Sequence, residues 1–180
     1  MATHVALLRA VNVAGRNLVA RSDLCELAAR LGLRAPRTLL QSGNLVFDSA
    51  TGDPAGLERM LERGAAEQLG LETDFLVRSV ADWLRLIARN PFIREASEDP
   101  GHLLVMLFKR APKAADVRAL RAAIVVREAI EAAGTHAYLV YPDGIGRSRL
   151  TTALIERTLG TRGTGRNWNT VVKLAALARA

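Results

Sequence analysis

Cysteine is almost absent from this 180-residue chain. Cys25 is the only one, so no disulfide can form within the chain, and its core must rest on packing. That usage fits a reducing cytoplasm. Long apolar runs are missing too: the longest is about half of what a membrane-spanning helix needs. The start, Met1-Ala2-Thr3-His4-Val5, lacks the basic and then apolar segments of a secretory signal. No membrane association and a cytoplasmic location are therefore expected. Aromatic residues make up only 4%, too few for a sheet that stacks nucleic-acid bases on exposed rings. Lysine is scarce as well, with Lys109, Lys113 and Lys173 set against 22 arginines.

The usual catalytic signatures are also lacking. There is no Gly-x-Ser-x-Gly elbow and no Walker A sequence. Gly144-Ile145-Gly146-Arg147-Ser148-Arg149 begins like a dinucleotide loop but has no third glycine at the required spacing. The histidines, His4, His102 and His136, show no metal-ligand spacing. Cys25 reads as a small packing residue, with no histidine near it in sequence to activate a thiolate. No catalytic residue, metal or cofactor is assigned on this basis.

What is present is an ordinary globular composition, 49% hydrophobic and 24% charged, which argues against disorder. The net charge of +7 is unevenly spread: residues 1–47 carry +4, residues 48–143 carry −3 and residues 144–180 carry +6. A GC-rich genome accounts for arginine in place of lysine. It does not account for the concentration of charge at both ends, which would form one basic surface if the ends meet.

Hydrophobic patterning divides the chain into short elements. His4–Val11 reads as a buried strand, 12–17 as a loop, and Asp23–Arg30 as a helix capped by Ser22 and stopped by Gly32. Arg37–Gln41 and Leu45–Asp48 read as a hairpin about Ser42-Gly43-Asn44. Asp53-Pro54 opens a helix that Gly70 ends, and Thr73–Arg78 is a fourth strand. The order β-α-β-β-α-β is the ferredoxin-like unit. A second half follows: a helix over Ala81–Arg89, a strand over Leu103–Lys109 and a helix from Pro112 to about Ala123. A hairpin about Gly134-Thr135 joins Glu128–Ala133 to His136–Tyr141, and helices cover Arg149–Leu159 and Asn169–Arg179. Periodicity alone equally allows one helix over 114–133. The expectation is an α+β protein of two ferredoxin-like (βαββαβ-type) lobes packed together, each an antiparallel sheet with helices on one face. The lobes are 1–79 and 80–180, the second with an extra C-terminal helix, and they unfold as one cooperative unit.

Besides Gln41-Ser42-Gly43-Asn44, whose polarity a hairpin turn explains, three segments are more polar than structure requires. The first carries Arg9, Asn12 and Arg16. Another, Tyr141–Thr151, joins two glycines (Gly144, Gly146) and Arg147, Ser148 and Arg149 to a helix start. The third, Gly160–Thr170, places Arg166, Asn167 and Asn169 before the last helix. Backbone N–H groups at a helix start, with arginine beside them, suit an anion. Equally, Ser148 can cap one helix, and Asn167 or Asn169 the other.

Several stretches carry a resemblance: 6–17, 41–47, Tyr141–Thr151 and Arg166-Asn167-Trp168-Asn169-Thr170 followed by Val-Val-Lys-Leu. In the same order and across the whole chain, they resemble the bacterial family called domain of unknown function 1697. The resemblance implies two ferredoxin-like lobes and supplies no activity. Where that family usually has glycine this chain has Ala10, and where it often has lysine this chain has Arg149. The functional expectation is a binding module for a phosphate-bearing anion, a nucleotide or nucleic acid, with Arg9, Asn12, Arg16, Gly144, Gly146, Arg147, Ser148, Arg149, Arg166, Asn167 and Asn169 as its contacts. The alternative is an enzyme acting on a small anionic substrate, with arginines as charge clamps and Asp143 as base.

Overall fold

A computed structural model describes residues 1–10, 19–40, 43–124 and 127–180. The expected loop at 12–17 and Ser42 of the first hairpin turn lie outside the described residues. The chain divides into two units, one of residues Met1–Ala88 with Val172–Ala180, the other of residues Arg89–Val171.

In the first unit, β1 (Ala2–Leu8), β2 (Arg34–Thr38), β3 (Asn44–Ser49) and β4 (Phe75–Ser79) form an antiparallel sheet in the order β2-β3-β1-β4. Helices α1 (Arg21–Arg30) and α2 (Pro54–Leu69) interleave with the strands. The result is the ferredoxin-like arrangement expected from the element order. Ala6, Leu8, Leu45, Phe47, Phe75 and Val77 share one face and pack against Leu24 and Leu27 of α1 and Leu57 and Leu61 of α2. Val5, Leu7 and Leu76, on the other face, are also buried, and α3 (Val80–Ala88) packs against β1 and β4. Burial on both faces explains why β1 reads as an unbroken apolar run rather than an alternation. Asp53 caps α2 by accepting the N–H groups of Ala55 and Gly56, and Gly70 closes it in the left-handed conformation.

The second unit repeats the plan. Strands β5 (Leu103–Phe108), β6 (Ala129–Ala133), β7 (His136–Val140) and β8 (Gly163–Asn167) are ordered β6-β7-β5-β8. Helices α5 (Ala114–Ala123) and α6 (Thr152–Leu159) interleave with them. Met106, Phe108 and Leu139 pack against Leu120 of α5 and Ile155 and Leu159 of α6. A short helix α4 (Ile93–Glu98) precedes β5, and α7 (Trp168–Arg179) follows β8. Residues 114–133 are not one helix. Helix α5 ends at Ala123, and Gly134, at φ 59°, turns the β6–β7 hairpin.

Several local expectations give way. Ser22 is not a cap: α1 starts at Arg21, behind Ala20, and the Ser22 hydroxyl donates to Asp23. β2 lies three residues earlier than the apolar pattern suggests, and a register shift between Arg34 and Arg37 accommodates Ala35 at φ 45° within it. Helix α6 is capped by Thr151, not Ser148. Residues 163–167, read as loop, are the strand β8. Ala10, where the resembling family usually has glycine, sits at φ 52°, a left-handed conformation that glycine adopts without strain. No helix among the described residues is long and apolar enough to cross a membrane.

Candidate functional site

Register places most of the candidate residues at one end of the second sheet. Leu103 pairs with Val140 and Leu104 with Asn167. The exits of β7 and β8 therefore flank the entry of β5. Two backbone hydrogen bonds tie the connections together there: Tyr141 N–H donates to His102 O (2.9 Å), and Trp168 N–H to Pro100 O (3.2 Å). Gly144, Gly146, Arg147, Ser148, Arg149, Arg166, Asn167 and Asn169 all lie in or next to these connections.

The turn between β7 and α6 is held at both ends. Gly144, at φ 82°, donates to Tyr141 O, and residues 145–147 make one tight 3-10 turn. Ser148 donates to Glu128 Oε1 and accepts the Leu150 N–H at 3.0 Å. Tyr141 donates its buried hydroxyl to Leu150 O at 3.0 Å, and burial pushes that phenol well above its ordinary range. On this fixed turn Arg147 and Arg149 are exposed, and neither side chain has a hydrogen bond or ion pair among the described residues. Asp143, proposed from sequence as a base, instead faces Arg127 at 3.6 Å.

One feature here went unrecognised in the sequence. His102 Nδ1 lies 2.8 Å from Asp99 Oδ2, at the bend before β5. A carboxylate can only accept, which assigns a hydrogen to Nδ1; in the neutral ring Nε2 is then the acceptor. That nitrogen borders the turn, since a Cβ built on Gly144 would lie 3.6 Å from it. The Asp-x-x-His spacing was the available signal, but it has no motif value without a fold to position it.

The third segment divides between roles. Asn167 accepts the Thr170 N–H at 3.0 Å and so caps α7, while Asn169 is exposed and Trp168 buried. Arg166 Nη1 donates to Thr164 Oγ1 (2.9 Å) and to Gly165 O (2.8 Å). Burial holds this guanidinium down to about 10. The glycines of β8 serve packing. A Cβ on Gly163 would meet Leu107 O at 2.5 Å, and one on Gly165 would meet Leu104 Cδ2 at 2.7 Å. Arg9 belongs to the first unit, where it faces Asp74 at 3.9 Å. Asn12 and Arg16 lie outside the described residues.

Two concavities of the second unit are lined by described residues. One of about 40 Å³, lined by Glu128, Arg149, Leu150 and Leu154 among others, adjoins the turn and has room for a water but not a nucleotide. The other, of about 410 Å³, lies between α5 and β6 and includes Pro112, Arg118, Arg121 and Gly134 but none of the candidate residues. Among the described residues no group of three or more His, Cys, Asp or Glu side chains could hold a metal ion.

Residues 1–138 match the model of a family described as a protein of unknown function (DUF1697), and the chain belongs to that family. It is similar to the solved structure of the conserved bacterial protein SP0830 from Streptococcus pneumoniae, with a TM-score of 0.77 at 20% identity over 98% of each chain. At that identity the likeness is one of fold. No curated protein matches.

Proposed function

We propose that this family member binds a phosphate-bearing anion, of a nucleotide or a nucleic acid, on the turn between β7 and α6. The observation that carries the reading is the pair Arg147 and Arg149. Both are exposed and lack partners among the described residues, and they stand two positions apart on a turn anchored by Tyr141, Ser148 and Leu150. A guanidinium offers a planar fork to a phosphate, and an anchored backbone lowers the ordering cost of binding. The adjoining cavity of about 40 Å³ is too small to enclose a nucleotide. Contact is therefore made to the phosphate at the surface and weakens with salt.

Thermal unfolding with pyrophosphate, adenine nucleotides and a short oligonucleotide tests this. A ligand at 100 times its Kd adds about 2.7 kcal/mol. Arg147→Ala with Arg149→Ala should abolish that gain and leave the unliganded protein within about 0.5 kcal/mol of the wild type. Equal stabilisation of wild type and double variant would remove the site.

The Asp99–His102 pair favours a second reading, an enzyme acting on a small anion held by the same arginines, with His102 Nε2 as general base. It requires turnover that His102→Ala abolishes while anion binding persists.

A further inference from the structure

The two sheets carry the same edge strand in the same register. Leu8 pairs with Phe75 and Val5 with Arg78; Phe108 pairs with Gly163 and Val105 with Arg166. Arg9 N–H donates to Asp74 O, and Lys109 N–H to Arg162 O. Ladder alternation then turns the N–H groups of Phe75 and Val77, and of Gly163 and Gly165, away from the sheet. β4 and β8 thus correspond residue by residue, with Val77 matching Gly165 and Arg78 matching Arg166. The helices confirm the match: Glu62 of α2 accepts the Phe75 N–H at 2.9 Å, and Glu156 of α6 accepts the Gly163 N–H at 2.8 Å. In each strand the arginine donates to the carbonyl before it, Arg78 to Val77 O (2.7 Å) and Arg166 to Gly165 O (2.8 Å).

One helical turn earlier the units part. Glu58 Oε1 accepts the Val77 N–H at 2.9 Å and lies 3.5 Å from Arg78 Nη1. Four residues before Glu156 stands Thr152, exposed and too short to play that part. Gly165 N–H has no acceptor among the described residues.

We propose that the edge of β8 at Gly165 and Arg166 is a carboxylate-binding site, in which a ligand carboxylate oxygen takes the Gly165 N–H and faces Arg166 as Glu58 does in the first unit. The first unit is the template. Its strand geometry, its arginine and its outward N–H are already arranged around one carboxylate oxygen, and β8 reproduces all three. Gly165 is half-buried rather than closed off, so the edge is reachable. Arg166 is already oriented by Thr164 and Gly165, so the incoming oxygen meets a fixed cation. The site is independent of the Arg147 turn. The carboxylate belongs either to a small acid or to the end of an extended peptide.

The amide resonance of Gly165 in the full chain is the direct probe. Titration with sodium acetate, against sodium chloride at equal ionic strength, should move it downfield saturably. An acetylated tri-alanine with a free C-terminus should half-saturate it at a concentration about tenfold lower than the amidated peptide, if the source is peptide; equal response to acetate and free peptide assigns it to small acids. Thr152→Glu, which grafts the first unit's solution, should place the Gly165 amide at its bound position without ligand and abolish the titration. Arg147→Ala with Arg149→Ala should leave the titration intact, which separates this site from phosphate binding on the turn. A Gly165 amide that responds to acetate no more than to chloride, or that still titrates in a folded Thr152→Glu variant, overturns the proposal.

Discussion

The two sheets protect their edges with the same device to different extents. In the first unit α1 reaches β2 twice, Arg21 to Thr38 O (3.3 Å) and Cys25 to Pro36 O (3.6 Å), and α2 reaches β4 twice through Glu58 and Glu62. In the second unit, among the described residues, one outward backbone group is met on each edge: Arg121 of α5 donates to Ile130 O (3.1 Å), beside its pair with Glu131 of the same strand, and Glu156 of α6 accepts the Gly163 N–H. Donors meet outward carbonyls on one edge and carboxylates meet outward N–H groups on the other. An uncovered edge is a template for pairing with another chain. In both units a helix side chain meets each outer strand, and the units differ in how many outward backbone groups are met among the described residues. Cys25 thereby has a role, as a thiol donor to an edge carbonyl rather than a nucleophile.

The comparison breaks most severely at Glu58. Arg78 and Glu58 are largely buried, with side chains 15% and 11% exposed. Glu58→Thr, which gives the first unit the residue of the second, leaves a buried guanidinium and an unaccepted N–H. It should cost about 3–5 kcal/mol in denaturant unfolding, and adding Arg78→Ala should restore part of the loss. A cost under 1 kcal/mol would show that the carboxylate is not what holds β4, and would weaken the analogy with β8.

The glycines of β8 sharpen the comparison in the other direction. Phe75 and Val77 fill the core from β4, whereas Gly163 and Gly165 let Leu107, Phe108, Met106 and Leu104 close over β8. Gly163→Ala drives a methyl to 2.5 Å from a backbone oxygen, which cannot step aside. Gly165→Ala meets the end of a leucine, which can. Overpacking of this kind costs about 1–3 kcal/mol, with Gly163→Ala the more damaging, as thermal melts of the two variants should show.

These same glycines mark where the sequence could be read and where it could not. The ferredoxin-like order was visible in β1, α2, β5 and the Gly134 hairpin, because apolar runs and turn residues coincide there. β8 was not. Gly-Thr-Gly-Arg-Asn is depleted in strand formers, and its place is dictated by side chains of β5 that are 60 residues away in sequence. Helix α4 has no buried residue and so no apolar stripe to announce it. The grouping of Gly144–Arg149 with Arg166–Asn169 at one sheet end followed from register, which a linear pattern does not contain. Asn167 was legible as a cap because its type and position suffice. Arg9 was not legible as a partner of Asp74, a contact that only the β1–β4 pairing creates.

The smallest expected effect concerns pH and separates the units once more. His4, four positions before Leu8, corresponds to Leu104, four before Phe108. His4 is buried and stacks on Phe47 with ring centres 5.7 Å apart. Its Nδ1 lies 3.0 Å from Ala2 O, and its Nε2 is buried without a partner among the described residues. Burial lowers its ionisation below 6.5, against the opposing pull of the Ala2 carbonyl, Asp48 and Asp82. Below the unfolded value of about 6.5 the unfolded chain therefore binds a proton that the folded chain refuses. Stability is full above that pH, falls as pH drops toward the folded value and levels off beneath it. Melting temperature measured from pH 7.5 to 5.5 should decline in the wild type. His4→Leu, the second unit's own choice, should flatten that decline. Amide exchange should report the loss in β1 before β5, and an unchanged slope in His4→Leu would assign the pH response to other groups.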